Sequence, residues 1–223
     1  MRKKKSEVEA ALQALRSKST AHDRQNLARF GIGAKKFFGV SMANMKAIAK
    51  RLGRDHELAA GLWATGWYEA RMLATMVDDP QKVTAAQMER WCRDFDNWGI
   101  VDTACFVLFD RTPHAWGKVK QWSGRRDEFQ KRGAFALLAC LALHGRYDSD
   151  EQLIDSLALI EQAATDERNF VKKGVSWALR AVGRRSSVNA AAIALAERLA
   201  ASAEAAPRWI GKDALRELKK RRG

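Results

Sequence analysis

The sequence predicts an all-α fold, a solenoid of stacked antiparallel helix pairs. Three observations predict it. Alanine and leucine abound, only three prolines fall in 223 residues, and runs of β-branched residues are nearly absent, a composition that favours helix over strand. Apolar residues recur at helical period along most of the chain. Finally, Tyr68, Trp98, Phe129, Phe170 and Trp209 stand 30, 31, 41 and 39 residues apart, each opening what reads as the second helix of a pair.

Taken in order, Val8, Ala11, Leu12 and Leu15 give helix period to Ser6 to Arg16, and His22 to Phe30 is a second short helix. Gly31, Gly33 and Gly39 mark a loop. Ser41 caps a helix carrying Met45, Ile48, Ala49 and Leu52. Helix pairs follow: His56 to Thr65 with Trp67 to Val77, stopped before Pro80; Thr84 to Phe95 with Asn97 to Phe109; Pro113 to Trp122 with Glu128 to His144. Ser149 to Ala164 then pairs with Asn169 to Val182, and Val188 to Ala205 with Trp209 to Arg221, Pro207 lying between the last two.

Helix pairs at this spacing mark an α-solenoid of the HEAT or armadillo kind. In such a stack the second helices line a concave face. Four of them carry an aromatic residue and, three positions on, a cation: Tyr68/Arg71, Phe129/Arg132, Phe170/Lys173 and Trp209/Lys212. Offsets of three and four share a helix face, so the expectation is a concave basic groove. No low-complexity linker interrupts the chain, and residues 1–223 are read as a single domain.

The net charge of +14, with 47% hydrophobic and 30% charged residues, describes a folded chain attracted to polyanions. Nucleic acid comes first among them because the charge accompanies eight tryptophans, several beside cations. Cys92, Cys105 and Cys140 lack metal-ligand spacing and read as buried free thiols of a reducing compartment. The four histidines are scattered, so no metal site is expected, and no phosphate-cradling glycine loop occurs. The basic start Met1 to Lys5 has no apolar run behind it, and the longest apolar run, Gly133 to Leu143, is too short for a bilayer. A cytoplasmic monomer without cofactor or membrane contact is expected. The basic runs Arg2 to Lys5 and Lys219 to Arg222 read equally as solvated ends or as phosphate contacts.

Between the first and second aromatic–cation pairs, Trp98 is followed by Asp102, four positions on. Asn97 is a good N-cap, so the two stack one turn apart. A carboxylate facing a polyanion needs a reason. One is the helix dipole, which favours acids in the first turn; the other is chemistry. Arg132 reads both as a phosphate contact and as a solvated charge, and Trp177, one turn past Lys173, both as core and as a site residue.

The run Asn97-Trp98, Val101-Asp102, with Phe129-Gln130-Lys131-Arg132, Phe170-Val171-Lys172-Lys173-Gly174, Trp177 and Leu179-Arg180 in this order, resembles the DNA alkylation repair family, the AlkD-like DNA glycosylases built from HEAT-like repeats. The resemblance runs from about His22 to Lys220. It implies that Asp102 is the catalytic carboxylate, that Trp98 and Trp177 flank the deoxyribose, and that Arg132 contacts the backbone beside them. Arg71, Lys131, Lys172, Lys173 and Lys212 are expected to hold phosphates. The implied substrate is duplex DNA containing alkylated bases, and the implied activity is monofunctional. The family works without swinging the base into a deep pocket. Two positions depart from the pattern: Gly99 replaces a second acid after the tryptophan, and Phe30 stands where a tyrosine is expected. Two other readings compete, a non-catalytic nucleic-acid binder and a HEAT-type scaffold for an acidic protein partner.

Overall fold

Side-chain caps set many of the helix starts. Thr20, Ser41, Asp55, Thr84, Asn97 and Asp127 each accept a backbone N–H two or three residues ahead, which satisfies donors that a helix leaves without internal partners. The computed structural model describes residues 2–221, and among them it is all-helical, with thirteen α-helices and no strand. Contacts divide the chain into two compact units, Met1–Thr112 and Pro113–Gly223.

The first unit contains α1 (Arg2–Arg16), α2 (Ala21–Arg29), α3 (Met42–Leu52), α4 (His56–Ala64), α5 (Tyr68–Val77), α6 (Ala85–Arg93) and α7 (Trp98–Val107), closed by a 3-10 turn at Phe109–Arg111. Helix α5 is central, packing against α3, α4 and α7. Trp63 of α4 stacks on Trp91 of α6 with ring centroids 4.0 Å apart, and Phe95 and Phe109 close around them. Asp78, fully buried after α5, accepts hydrogen bonds from His56 Nδ1 and Gln87 Nε2, each at 2.7 Å. Burial raises its carboxyl above the usual range, and these donors oppose that rise.

In the loop from 30 to 41, three successive backbone N–H groups are held by one side chain. Glu69 in the first turn of α5 is fully buried. Its carboxylate accepts the backbone N–H of Phe38 at 2.9 Å, of Gly39 at 2.6 Å and of Val40 at 3.2 Å. In return, the carbonyl of Lys36 accepts the Tyr68 N–H at the start of α5 at 2.8 Å. Gly39 has φ +83°, and a Cβ there would lie 2.3 Å from Arg24 Cγ and 2.8 Å from its backbone nitrogen, so only glycine fits.

The second unit contains α8 (Ala115–Ser123), α9 (Glu128–His144), α10 (Asp150–Ala163), α11 (Asn169–Val182), α12 (Ser186–Ala200) and α13 (Ala205–Leu218). Helices α9, α11 and α13 pack in series, and α8, α10 and α12 back them as a second layer. This is the alternation of a helical repeat array. Lys131 of α9 and Arg168, before α11, both bind Asp166, at 2.9 Å and 2.6 Å. Arg180 of α11 and Arg184, just beyond its end, bind Glu217 of α13 at 2.7 Å and 2.5 Å.

The expected helices occur, with shifted ends. α9 and α11 have the expected bounds. Pro207 lies inside the first turn of α13 rather than before it, where a missing N–H costs nothing. Trp209 is consequently the fifth residue of its helix, not its first. The basic start belongs to α1, and Lys4 is paired with Asp55 at 2.5 Å. Lys219 is paired with Glu197 at 2.9 Å, whereas Arg222 lies outside the described residues. All three cysteines are buried, as expected. Among the described residues no helix is long and apolar enough to cross a membrane, and no cluster of potential metal ligands occurs.

Two stability measurements check these ties. Glu69→Ala strands three buried N–H groups and is expected to lower unfolding free energy by about 3–5 kcal/mol, read by urea denaturation. The hydrogen bonds from Arg168, then those from Lys131, hold the Asp166 carboxyl well below its ordinary 3.8 against the opposing effect of burial. A depressed carboxyl contributes stability above its unfolded value and loses it as pH falls. Asp166→Asn is therefore expected to lower the melting temperature at pH 7, with the gap to the wild type narrowing progressively as pH falls below 3.8.

Candidate active site

The residues of α7 that the sequence singles out sit together on one turn. The side-chain oxygen of Asn97 accepts the Ile100 N–H at 3.0 Å and starts the helix. Trp98 is then the first helical residue and Asp102 the fifth. The helix dipole acts within the first turn, so a carboxylate at the fifth position gains little from it, and dipole stabilisation does not account for Asp102.

Trp98 and Asp102 are both half-buried and line one pocket of about 310 Å³, wholly within the first unit. The indole N–H of Trp98 donates to the carbonyl of Phe30 at 3.0 Å, which fixes the ring against the loop that Glu69 clamps. Phe30 also lines the pocket, with 59% of its surface exposed. Tyr68 supplies a wall. Burial, and secondarily the adjacent Glu69 charge, pushes its phenol well above the ordinary range, so it remains protonated at any working pH.

Gly99 is explained by that wall. A Cβ at 99 would lie 2.9 Å from the Tyr68 hydroxyl and 3.3 Å from Ile32 Cδ1 and Asn97 Oδ1. The acid expected after the tryptophan has no room here. The sequence reading missed Tyr68 as a site residue because it took it for a member of the aromatic–cation series. It also missed Asn26 and Thr103, which line the same pocket and belong to no motif.

The remaining candidates lie elsewhere. Arg71 is on α5, 16% exposed, with its guanidinium over Trp63 at 5.4 Å and facing Asp94 and Asp96 at 4.0 and 3.8 Å. Its charge is largely matched within the fold. In the second unit, Arg132 of α9 is 6% exposed and donates to the Phe170 carbonyl at 2.7 Å. Lys131 is engaged by Asp166. Lys172 lies 5.1 Å from the Trp209 ring. Lys173 and Lys212 project into solvent, and Trp177 is half-buried on the Lys173 face of α11. The basic series is thus uneven: its α11 and α13 members are open, while Arg71 and Arg132 are largely occupied with internal bonds.

Repeated helix pairs in two layers define a HEAT-like helical-repeat protein. The chain belongs to the DNA alkylation repair enzyme family, whose model matches residues 11–218. It is similar to a solved structure described as a new family of proteins related to the HEAT-like repeat DNA glycosylases with affinity for branched DNA structures; the two agree with a TM-score of 0.77 over 96% of this chain and 94% of that one, at 19% identity. At that identity the likeness speaks to fold alone. No curated protein matches the chain significantly in sequence.

The steric account of Gly99 has a direct check. In an open helix, glycine to alanine gains about 1 kcal/mol. Here Gly99→Ala is expected to cost about 1–3 kcal/mol, and markedly less in a Tyr68→Phe background, measured as a double-mutant cycle in urea.

Proposed function

We propose that the protein is a monofunctional DNA glycosylase that hydrolyses the N-glycosidic bond of positively charged alkylated bases, N3-alkyladenine and N7-alkylguanine, in duplex DNA. The observation that carries this reading is the pairing of Asp102 with Trp98 on the wall of one pocket, in a chain of this family and of net charge +14.

An alkylated purine carries a formal positive charge and departs readily without a general acid. The barrier is the oxocarbenium character that develops on the sugar. A carboxylate held by a helix stabilises that charge and orients a water for attack, as in glycoside hydrolysis. One aspartate suffices. In this reading Trp98 and Trp177 offer their electron-rich faces to the cationic sugar or base, worth about 0.5–2 kcal/mol each. Arg132 contacts the DNA backbone in this reading, with its guanidinium already bonded to the Phe170 carbonyl. Lys173 and Lys212, both exposed, are the strongest phosphate-contact candidates, with Lys172, Lys131 and Arg71 contributing less because of the internal partners described above. The protein acts as a monomer and uses no cofactor.

A second reading rests on the fold likeness to a protein described as having affinity for branched DNA. On that reading the same cations bind junctions and Asp102 is dispensable. Base release from methylated duplex DNA by the wild type and by Asp102→Asn separates the two. The glycosylase reading expects release of 7-methylguanine or 3-methyladenine that falls by about 10²–10³-fold in the variant with DNA affinity retained. Tight binding of a four-way junction with no base release by the wild type would replace it with the binder.

A further inference from the structure

We propose that Trp209, with Lys172 over its ring and Lys212 one turn on, is a stacking subsite for an unpaired base of single-stranded DNA, on the α11 and α13 helices of the second unit. It requires no chemistry at Asp102, so it goes beyond both readings of function above. Exposure is the first argument. Of the eight tryptophans, Trp209 alone is exposed, at 37%, while Trp63, Trp91 and Trp122 are core and the others half-buried. Its sequence counterparts on α9 and α11, Phe129 and Phe170, pack on each other with ring centroids 5.3 Å apart. Trp209 is met instead by the Lys172 ammonium, 5.1 Å from its ring. Helix α13 packs through its other side, with Ile210, Gly211 and Ala214 buried. The fold therefore leaves a large indole in water, where apolar surface is unfavourable.

The helix that carries the ring is held firmly. A Cβ at 211 would lie 2.3 Å from the Ala200 nitrogen and 2.5 Å from the Ala196 oxygen, so α13 lies against the α12 backbone at a distance only glycine allows. Towards α11, Ser176 Oγ donates to Asp213 at 2.6 Å and Arg180 binds Glu217. An aromatic on such a helix stacks with little further loss of freedom. Charge agrees. Helix α11 carries no acid. The two carboxylates of α13, Asp213 and Glu217, are each bonded to arginines. Lys172, Lys173 and Lys212 thus offer their charge to phosphates, and cations beside an aromatic face are the recurring make-up of single-strand sites. A duplex cannot supply the base face, because its bases are stacked on each other. The ring therefore favours unpaired DNA, at a tail, a flap or a branch. A cation–π contact at an exposed site is weaker than the stacking of a base. An arriving base displaces Lys172 from the ring and frees its ammonium for the phosphate of the same nucleotide.

The test compares the full chain with its Trp209→Ala and Trp209→Phe variants by fluorescence anisotropy, on a labelled thymidine oligonucleotide and on a blunt duplex of equal length. Trp209→Ala is expected to weaken binding of the single strand about tenfold and that of the duplex by no more than about twofold. Trp209→Phe, which keeps an aromatic face, is expected to retain most of the single-strand affinity. A second measurement needs no variant and stands should Trp209→Ala fold poorly. Irradiation of the wild type with an iodouracil-substituted single strand is expected to cross-link the peptide that contains Trp209. Unchanged binding of the single strand by Trp209→Ala, or equal losses on strand and duplex, overturns the subsite, as does a cross-link confined to other peptides. Tighter binding of an RNA strand of matched sequence overturns the assignment to DNA.

Discussion

The buried Glu69 carboxylate is the interaction on which the rest of the site depends. A loop with φ +83° at Gly39 has few ways to satisfy its backbone donors away from water, and an unmade buried hydrogen bond costs more than a made one returns. Glu69 takes three N–H groups at once. The same loop supplies Phe30, Ile32, Val40 and Ser41 to the lining of the pocket. The Phe30 carbonyl then holds Trp98. The orientation of the α7 aromatic beside Asp102 is thus set by a carboxylate one helix away that never touches the pocket.

Carboxylates play opposite roles in this basic protein. Asp166, Asp213 and Glu217 lie between cations of successive elements and neutralise them locally. These pairs are partly exposed, so each adds modestly to stability; their larger effect is to decide which cations remain available. Lys131, Arg180 and Arg184 are engaged, while Lys173 and Lys212 face solvent. A net charge therefore overstates the surface offered to a polyanion, and the phosphate-facing charge is better counted from unengaged side chains than from composition.

Much of the fold was legible in the sequence, for local reasons. Asn97 and Ser41 cap where expected because an N-cap is a bond between residues two or three apart. α9 and α11 have the expected bounds because unbroken apolar periodicity runs between plain stops. What was not legible is non-local. Glu69 reads as an ordinary first-turn acid, since its partners lie about thirty residues upstream and are backbone groups without a sequence signature. The tryptophan count overstated the aromatic surface, because Trp63, Trp91 and Trp122 are core. Arg71 and Arg132 share a sequence pattern with Lys173 and Lys212, yet tertiary neighbours half-bury Arg71 and bury Arg132 while leaving the two lysines open. On the site itself, sequence placed Trp98 and Asp102 on one face, whereas the pocket they border is assembled from α2, the loop, α3 and α5.

The first turn of α7 shows why a departure from a family pattern need not weaken a site. An acid after Trp98 would lie at the second helical position, where the dipole favours it. Here that position faces the Tyr68 hydroxyl at a distance no Cβ tolerates. Removing the side chain gives up that stabilisation and spends backbone freedom, since glycine inside a helix costs about 1 kcal/mol. The cost is borne where Asn97 caps the turn and the α5 and loop contacts hold it, so the helix start survives. What is gained is a flat wall beside Trp98 and a single unambiguous carboxylate, Asp102, on this turn. In the glycosylase reading proposed above, one aspartate, set one turn beyond a tethered tryptophan, keeps the negative charge where an oxocarbenium ion would form.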